Sequence, residues 1–347
     1  LSATESSLSL SATTATMAIG ALFTGSLSDV IGRKLIMSLS LIVAAILTII
    51  CSMLHSWTTI IIIRSFIGLA LSGVVAVGMT YIVEEVEKKY LSFCIGLYIS
   101  GNTIGGFVGR LLSSILSEYF SWNVSLAIIG FFSLFSSFLF CYFLPSSKNF
   151  YPISINYKKF FKSFYIHLKN PILYTLFIIG FLLMGSFITV FNYISYRLIL
   201  DPFFLSQSTI GLLSAIYLTG VYSSPKAGAL ANKFNRSNIL IISLLIMIFG
   251  ILLTQYDYFL IIVLGLMLFS SSFFAAHSIA SSWVSSCVKT DKVQATSLYL
   301  FFYYLGSSIF GTLGGFFWFY SRWFGISIFI IVVLCFGILL SLKLKRF

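Results

Sequence analysis

The sequence predicts an all-α polytopic membrane protein made of two pseudo-symmetric helical bundles, and three observations carry that prediction. First, the 347 residues are 59% hydrophobic and 9% charged, with a mean hydropathy of +1.04. A water-soluble domain carries about 25% charge. Second, apolar runs recur along the whole chain, each near the roughly 20 residues that cross about 30 Å of hydrocarbon as a helix. The runs do not alternate, which argues against a barrel of strands. Third, the charged turn Gly25-Ser-Leu-Ser-Asp29-Val-Ile-Gly32-Arg33-Lys34 returns in degenerate form as Gly228-Ala-Leu-Ala-Asn232-Lys-Phe-Asn235-Arg236-Ser237. Two like-oriented halves carrying the same turn are the layout of a transporter built from parallel repeats.

Eleven spans are predicted, at 8–27, 35–54, 58–83, 92–114, 122–144, 171–194, 208–230, 238–255, 258–283, 294–317 and 323–342. The first two flank the Gly25–Lys34 turn. The third carries Arg64 and ends at Glu84 and Glu85, and the fourth is glycine-rich from Gly96 to Gly109. After the fifth, residues 145–170 are polar and basic, with Lys148, Lys158, Lys159, Lys162 and Lys169. The seventh and eighth flank the second copy of the turn, the ninth contains His277, and the tenth repeats the glycine spacing of the fourth with Gly306, Gly311 and Gly315. The organisation expected is a bundle over 1–144, a cytoplasmic linker over 145–170 and a second bundle over 171–347. Five spans against six imply a further helix upstream of Leu1.

Basic residues orient the chain. With Arg33 in the cytoplasm, Lys34, Lys88, Lys89, the linker lysines, Lys226, Lys233, Arg236, Lys289, Lys292, Lys343, Lys345 and Arg346 all fall on the same side. Only Arg197 and Arg322 fall outside, and Arg64 and Arg110 lie within spans. This asymmetry accounts for the net charge of +12 without nucleic acid, and it places the C-terminus in the cytoplasm. The five cysteines lie in or beside apolar runs without CxxC spacing, as small core residues. No HExxH motif, paired carboxylate or Ser/His/Asp set lies within the spans, so neither an enzyme, a metal site nor a cofactor is expected.

Several residues are candidates for the working site. Gly25 permits close helix packing and Gly32 a tight turn. Asp29 can pair with a basic neighbour, and Arg33 with an acid at the end of another helix, Glu84 or Glu85. Arg64 within a span is costly unless paired or facing a watery cavity; the alternative is that it snorkels to the interface near Trp57. Arg110 either faces a cavity, holding an anionic or polyhydroxyl group, or pairs with Glu118. His277 is either a proton carrier or a satisfied core histidine. Tyr98, Asn102, Asn192 and Tyr217 are cavity candidates, suited to a small polar or amphipathic solute.

The ten residues from Gly25 to Lys34 match GxLxDxxGRK, and the chain here resembles the major facilitator superfamily, in its bacterial proton-coupled efflux branch. Gly96 to Gly106 is similar to that branch's GxxxxGPxxGG signature, with Asn102 in place of proline. Arg64-Ser-Phe-Ile-Gly68 resembles its fourth-helix arginine motif. The resemblance implies a major facilitator fold and alternating access. It implies a cytoplasmic latch of Gly25, Asp29, Gly32, Arg33, Lys34 and Glu84, with coupling through Arg64. The expected partners are a small-molecule solute, protons and the lipid bilayer, the expected form a monomer, and the expected location the bacterial inner membrane. In the second turn Asn232 and Asn235 replace Asp29 and Gly32, so a second latch lacks its acid.

Overall fold

The computed structural model describes residues 3–150, 152, 157–288 and 291–345; Tyr151 and residues 153–156 of the linker, and Lys289 and Arg346 of the basic set, lie outside them. The described elements are helical throughout. The first half comprises α1 (Ala3–Ile31), α2 (Arg33–Ser52), α3 (Trp57–Glu85), α4 (Lys88–Tyr119) and α5 (Trp122–Phe143). A linker helix, α6 (Tyr157–Lys169), leads to the second half: α7 (Pro171–Ile199), α8 (Gln207–Leu212), a 3₁₀ segment (Leu213–Leu218), α9 (Thr219–Lys233), α10 (Arg236–Leu253), α11 (Phe259–Cys287) and α12 (Lys292–Leu344). Among the described residues, eight helices are long and apolar enough to cross a membrane. The remaining expected spans are α4, the run from α8 to α9, and one limb of α12.

Local chemistry sets the boundaries. Gly32, at φ 111°, turns the chain between α1 and α2 in a region that L side chains rarely adopt. Asn170 caps α7, its side chain accepting from the backbone N–H of Ile172 and Leu173, with Pro171 in the first turn. Ser121, Ser206 and Asn235 cap α5, α8 and α10 in the same way.

Three parts of the expected organisation take a different form. The span at 208–230 is one continuous helical run whose middle, Leu213–Leu218, winds as 3₁₀. The spans at 294–317 and 323–342 are joined in a single ladder, α12, and part at Ser321 and Arg322, whose backbone angles are not helical. The linker, expected as a polar loop, contains α6.

In the second half α7 packs on α12, α10 on α11 and α9 on α11; in the first, α1 packs on α3 and α2 on α3 and α5. The largest apolar core belongs to the second half, around Phe177, Leu183, Tyr193, Leu244, Phe269 and Ile330. The two halves meet chiefly where α1 lies along α12 and where α4 meets α8 and the 3₁₀ segment.

At the end of the molecule away from the α1–α2 turn, Arg197 gathers the second half together. Its guanidinium donates to the carbonyls of Thr254, Gln255 and Tyr256 and pairs with Asp257 at 2.7 Å. It also lies against the rings of Phe203 and Trp323. Trp323 Nε1 donates to the Thr254 carbonyl at 3.1 Å. Arg197→Ala takes this donor from the Gln255 and Tyr256 carbonyls, leaves the Thr254 carbonyl to Trp323 alone, and loosens three elements at once. A loss of about 1–2 kcal/mol is expected, since Asp257 and the Tyr256 contact are exposed and water replaces part of what is lost. Thermal unfolding of the purified protein checks it; an unchanged midpoint would remove the clamp from the stability of this half.

Candidate functional site

The Gly25–Lys34 turn builds a charge cluster at one end of the first half. Arg33 opens α2 and is only 6% exposed. Its Nε and Nη2 fork onto the Glu84 carboxylate at 3.1 and 2.9 Å, the bidentate geometry that guanidinium favours. Nη2 also meets Asp29 at 2.5 Å, and Nη1 meets Ser28 Oγ at 2.5 Å. The Phe150 ring covers the guanidinium.

The neighbouring Glu85 faces elsewhere, accepting the backbone N–H of Lys148 and Asn149 at 2.9 and 3.0 Å. Lys34 Nζ donates to the Leu144 carbonyl at 2.5 Å. The cluster therefore ties α1, α2, α3, α5 and the start of the linker. Ser28 and Phe150 were not legible as members, since each contributes through tertiary placement; Glu85, offered as an alternative acid for Arg33, serves the linker instead. Gly25 permits a close approach to the other half: a Cβ there would sit 3.4 Å from Val293.

The second copy is built differently. Arg236 Nη1 donates to Ser286 Oγ at 2.5 Å, and Asn235 is spent on capping α10 through Ser237 N at 2.9 Å. No acid appears in the ion pairs found there among the described residues.

At the opposite end the halves are joined by polar contacts. Arg110 of α4 donates from Nη1 to Tyr217 Oη at 3.1 Å and from Nη2 to the Phe191 carbonyl and Ser195 Oγ at 3.4 Å. Glu118, the alternative partner for Arg110, accepts instead from the Ser208 N–H at 2.6 Å. Ser214 Oγ donates to the Phe107 carbonyl at 3.2 Å, Tyr193 to Ser7 at 3.3 Å, Ser308 to the Ser11 carbonyl at 2.8 Å, and Thr312 to Ser11 at 2.9 Å.

The other candidates are dispersed. Arg64 is half-buried, and its Nε is buried without a hydrogen-bond partner among the described residues. It opens onto a 330 Å³ cavity at the far end of the first half, shared with Ser9, His55, Trp57 and Trp122. His277 lies in the second half, its Nδ1 2.9 Å from Tyr299 Oη, with the Tyr303 ring at 4.5 Å. Tyr98 packs against Gly78, Asn102 is exposed, and Asn192 is half-buried beside Gly311. Arg110 and Tyr217 are the cavity candidates that the fold brings into contact. Among the described residues no cluster of His, Cys, Asp and Glu could hold a metal ion.

Two bundles of membrane-crossing helices, joined by a linker and meeting across polar contacts between their inner faces, define a polytopic membrane transport protein. Residues 1–201 match the family model of the Major Facilitator Superfamily, and the chain belongs to that family. A protein of Buchnera aphidicola subsp. Schizaphis graminum described as an uncharacterized transporter is 72% identical over 346 residues, covering 100% of this chain and 84% of the relative. The inner membrane transport protein YnfM of Escherichia coli is 50% identical over 346 residues, covering 100% of this chain and 83% of the relative. Among solved structures, the nucleoside transporter NupG aligns with a TM-score of 0.76 at 15% identity, covering 98% of this chain and 90% of that one. These relatives are transporters, not enzymes, and the structural likeness concerns the fold.

Proposed function

We propose that the chain exports a small organic solute across the bacterial inner membrane in exchange for protons, as a monomer with its C-terminus in the cytoplasm. The observation that carries this reading is the polarity of the contacts between halves. Arg110, Glu118, Phe107, Ser7 and Ser11 all hydrogen-bond the second half at the end away from the Gly25–Lys34 turn. At the turn end, the Arg33 cluster stays within the first half and the start of the linker, and α12 comes close enough that a Cβ at Gly25 would lie 3.4 Å from Val293. Halves tied at one end by bonds that can be exchanged are suited to rocking about a central cavity. With the turn end cytoplasmic, this arrangement is closed outside. Asp29, Gly32, Arg33, Lys34 and Glu84 then form the latch, and Arg64 and His277 are the coupling groups.

One observation favours uptake or facilitated diffusion of a nutrient instead: α4 runs as one helix from Lys88 to Tyr119, with Asn102 where the exporter signature has its proline. The full-length protein in everted vesicles under a set pH gradient separates the two. Solute-dependent collapse of the gradient is expected in the wild type, reduced at least about tenfold in Arg64→Ala or His277→Gln as the loss of one essential proton-handling group. A labelled solute that equilibrates without moving protons would replace export with facilitated passage.

A further inference from the structure

Arg110 carries a full positive charge between the two halves, yet its hydrogen-bond partners are all neutral: the Tyr217 hydroxyl, the Phe191 carbonyl and the Ser195 hydroxyl. The ion pairs found among the described residues use Arg33 and Arg197 instead. Such oxygens satisfy N–H groups but leave the charge uncompensated, which is costly within a bilayer. A carboxylate would supply both the counter-charge and the two parallel acceptors that the guanidinium fork favours.

The surroundings define the rest of the ligand. Tyr217 is 9% exposed and sits among rings, with Phe191 at 4.8 Å and Phe187 at 5.3 Å. Phe187 in turn stacks on Phe273 at 4.1 Å and meets Phe274 at 5.7 Å. Asn102, Gly106 and Arg110 recur at four-residue spacing along one face of α4, and Gly106 leaves that face open beside the Tyr217 ring, 3.9 Å from a Cβ built there. Phe187, Phe191 and Phe273 are buried behind Tyr217, while Phe274 is half-exposed; one cation beside that ring and an open helix face fits a flat, apolar body bearing one negative charge.

We infer that Arg110 and Tyr217 form the binding site for the carboxylate of an aromatic monocarboxylate, with the half-buried Phe274 ring and the open α4 face at Gly106 receiving its apolar body. The assignment rests on the transporter reading above and names its substrate class. It also gives binding a consequence. Arg110 belongs to the first half and its present partners to the second, so a carboxylate that takes the guanidinium competes with the bonds that hold the halves together.

The test uses radiolabelled benzoate as the probe on full-length protein in detergent, with its neutral isostere benzamide as competitor. Benzoate is expected to bind, with benzamide at least about tenfold weaker, the scale of one charge-assisted pair. Arg110→Gln should lower benzoate affinity by at least about tenfold, with Arg110→Lys restoring part of it. Tyr217→Phe keeps the ring and loses the hydroxyl, so a several-fold loss at unchanged thermal stability separates binding from folding. Equal binding of benzoate and benzamide, full binding by Arg110→Gln, or no benzoate binding would each overturn the assignment. A neutral solute moved in the vesicle assay alongside any of these leaves the transporter reading standing; no solute moved at all overturns that reading.

Discussion

Glu84→Ala is expected to destabilise the protein by about 3 kcal/mol and to loosen the end of the first half that carries the α1–α2 turn. The substitution leaves Arg33, almost fully buried, without the carboxylate that its Nε and Nη2 fork grips. Removing one partner of a buried pair costs about 3–5 kcal/mol, because the orphaned charge keeps its desolvation penalty. Asp29 remains beside Nη2, which puts the effect at the low end of that range. The double substitution Arg33→Ala/Glu84→Ala removes the orphan, so it should be less destabilised than the sum of the single changes. Thermal unfolding of the four proteins measures the coupling. Additive effects would show that the pair contributes nothing beyond separate contacts.

Gly68→Ala is the second large effect expected, with a different cause. Where α1 crosses α3, a Cβ at Gly68 would lie 1.9 Å from the Thr13 carbonyl oxygen and 2.4 Å from Thr16 Oγ1. A backbone carbonyl inside a helix cannot swing aside as the end of a flexible side chain can, so the helices must separate. Separation also lengthens the 2.6 Å bond from Thr16 Oγ1 to the Ser65 carbonyl. Overpacking costs about 1–3 kcal/mol and the lost bond about 1 kcal/mol. Gly228→Ala, with open space around its Cβ, should be tolerated and serves as the comparison. Monodisperse elution of each full-length variant in detergent is the readout. A normal Gly68→Ala profile would mean that the crossing tolerates wider spacing than its geometry implies.

The membrane class, the repeat and the positions of the helices were legible in the sequence because hydropathy and turn chemistry are local properties. The Arg33–Glu84 pair was legible for a related reason: acids are scarce, and two of them end the span that neighbours Arg33. The choice between Glu84 and Glu85 was not, since it depends on how the start of the linker folds back over α3. Arg110 shows the limit most plainly. Sequence proximity offered Glu118, eight positions along the same helix; the structure gives Arg110 to Tyr217 and Phe191 because the docking of two separate bundles decides its surroundings. The 3₁₀ winding at Leu213–Leu218 left no trace in composition, as the same residues serve an α-helix equally well.

That winding has a mechanical consequence. A 3₁₀ helix rises about 2.0 Å per residue against about 1.5 Å for an α-helix, so the six residues Leu213–Leu218 span about 3 Å more than they would in α-form. Each residue also turns about 120° instead of about 100°. The stretch is an overwound screw thread set into a membrane helix, and it carries Tyr217. Relaxing it to α-form would draw α8 and α9 together by about 3 Å and swing the Tyr217 hydroxyl away from Arg110. A small local rewinding would thus release the Arg110–Tyr217 contact without moving either bundle as a whole.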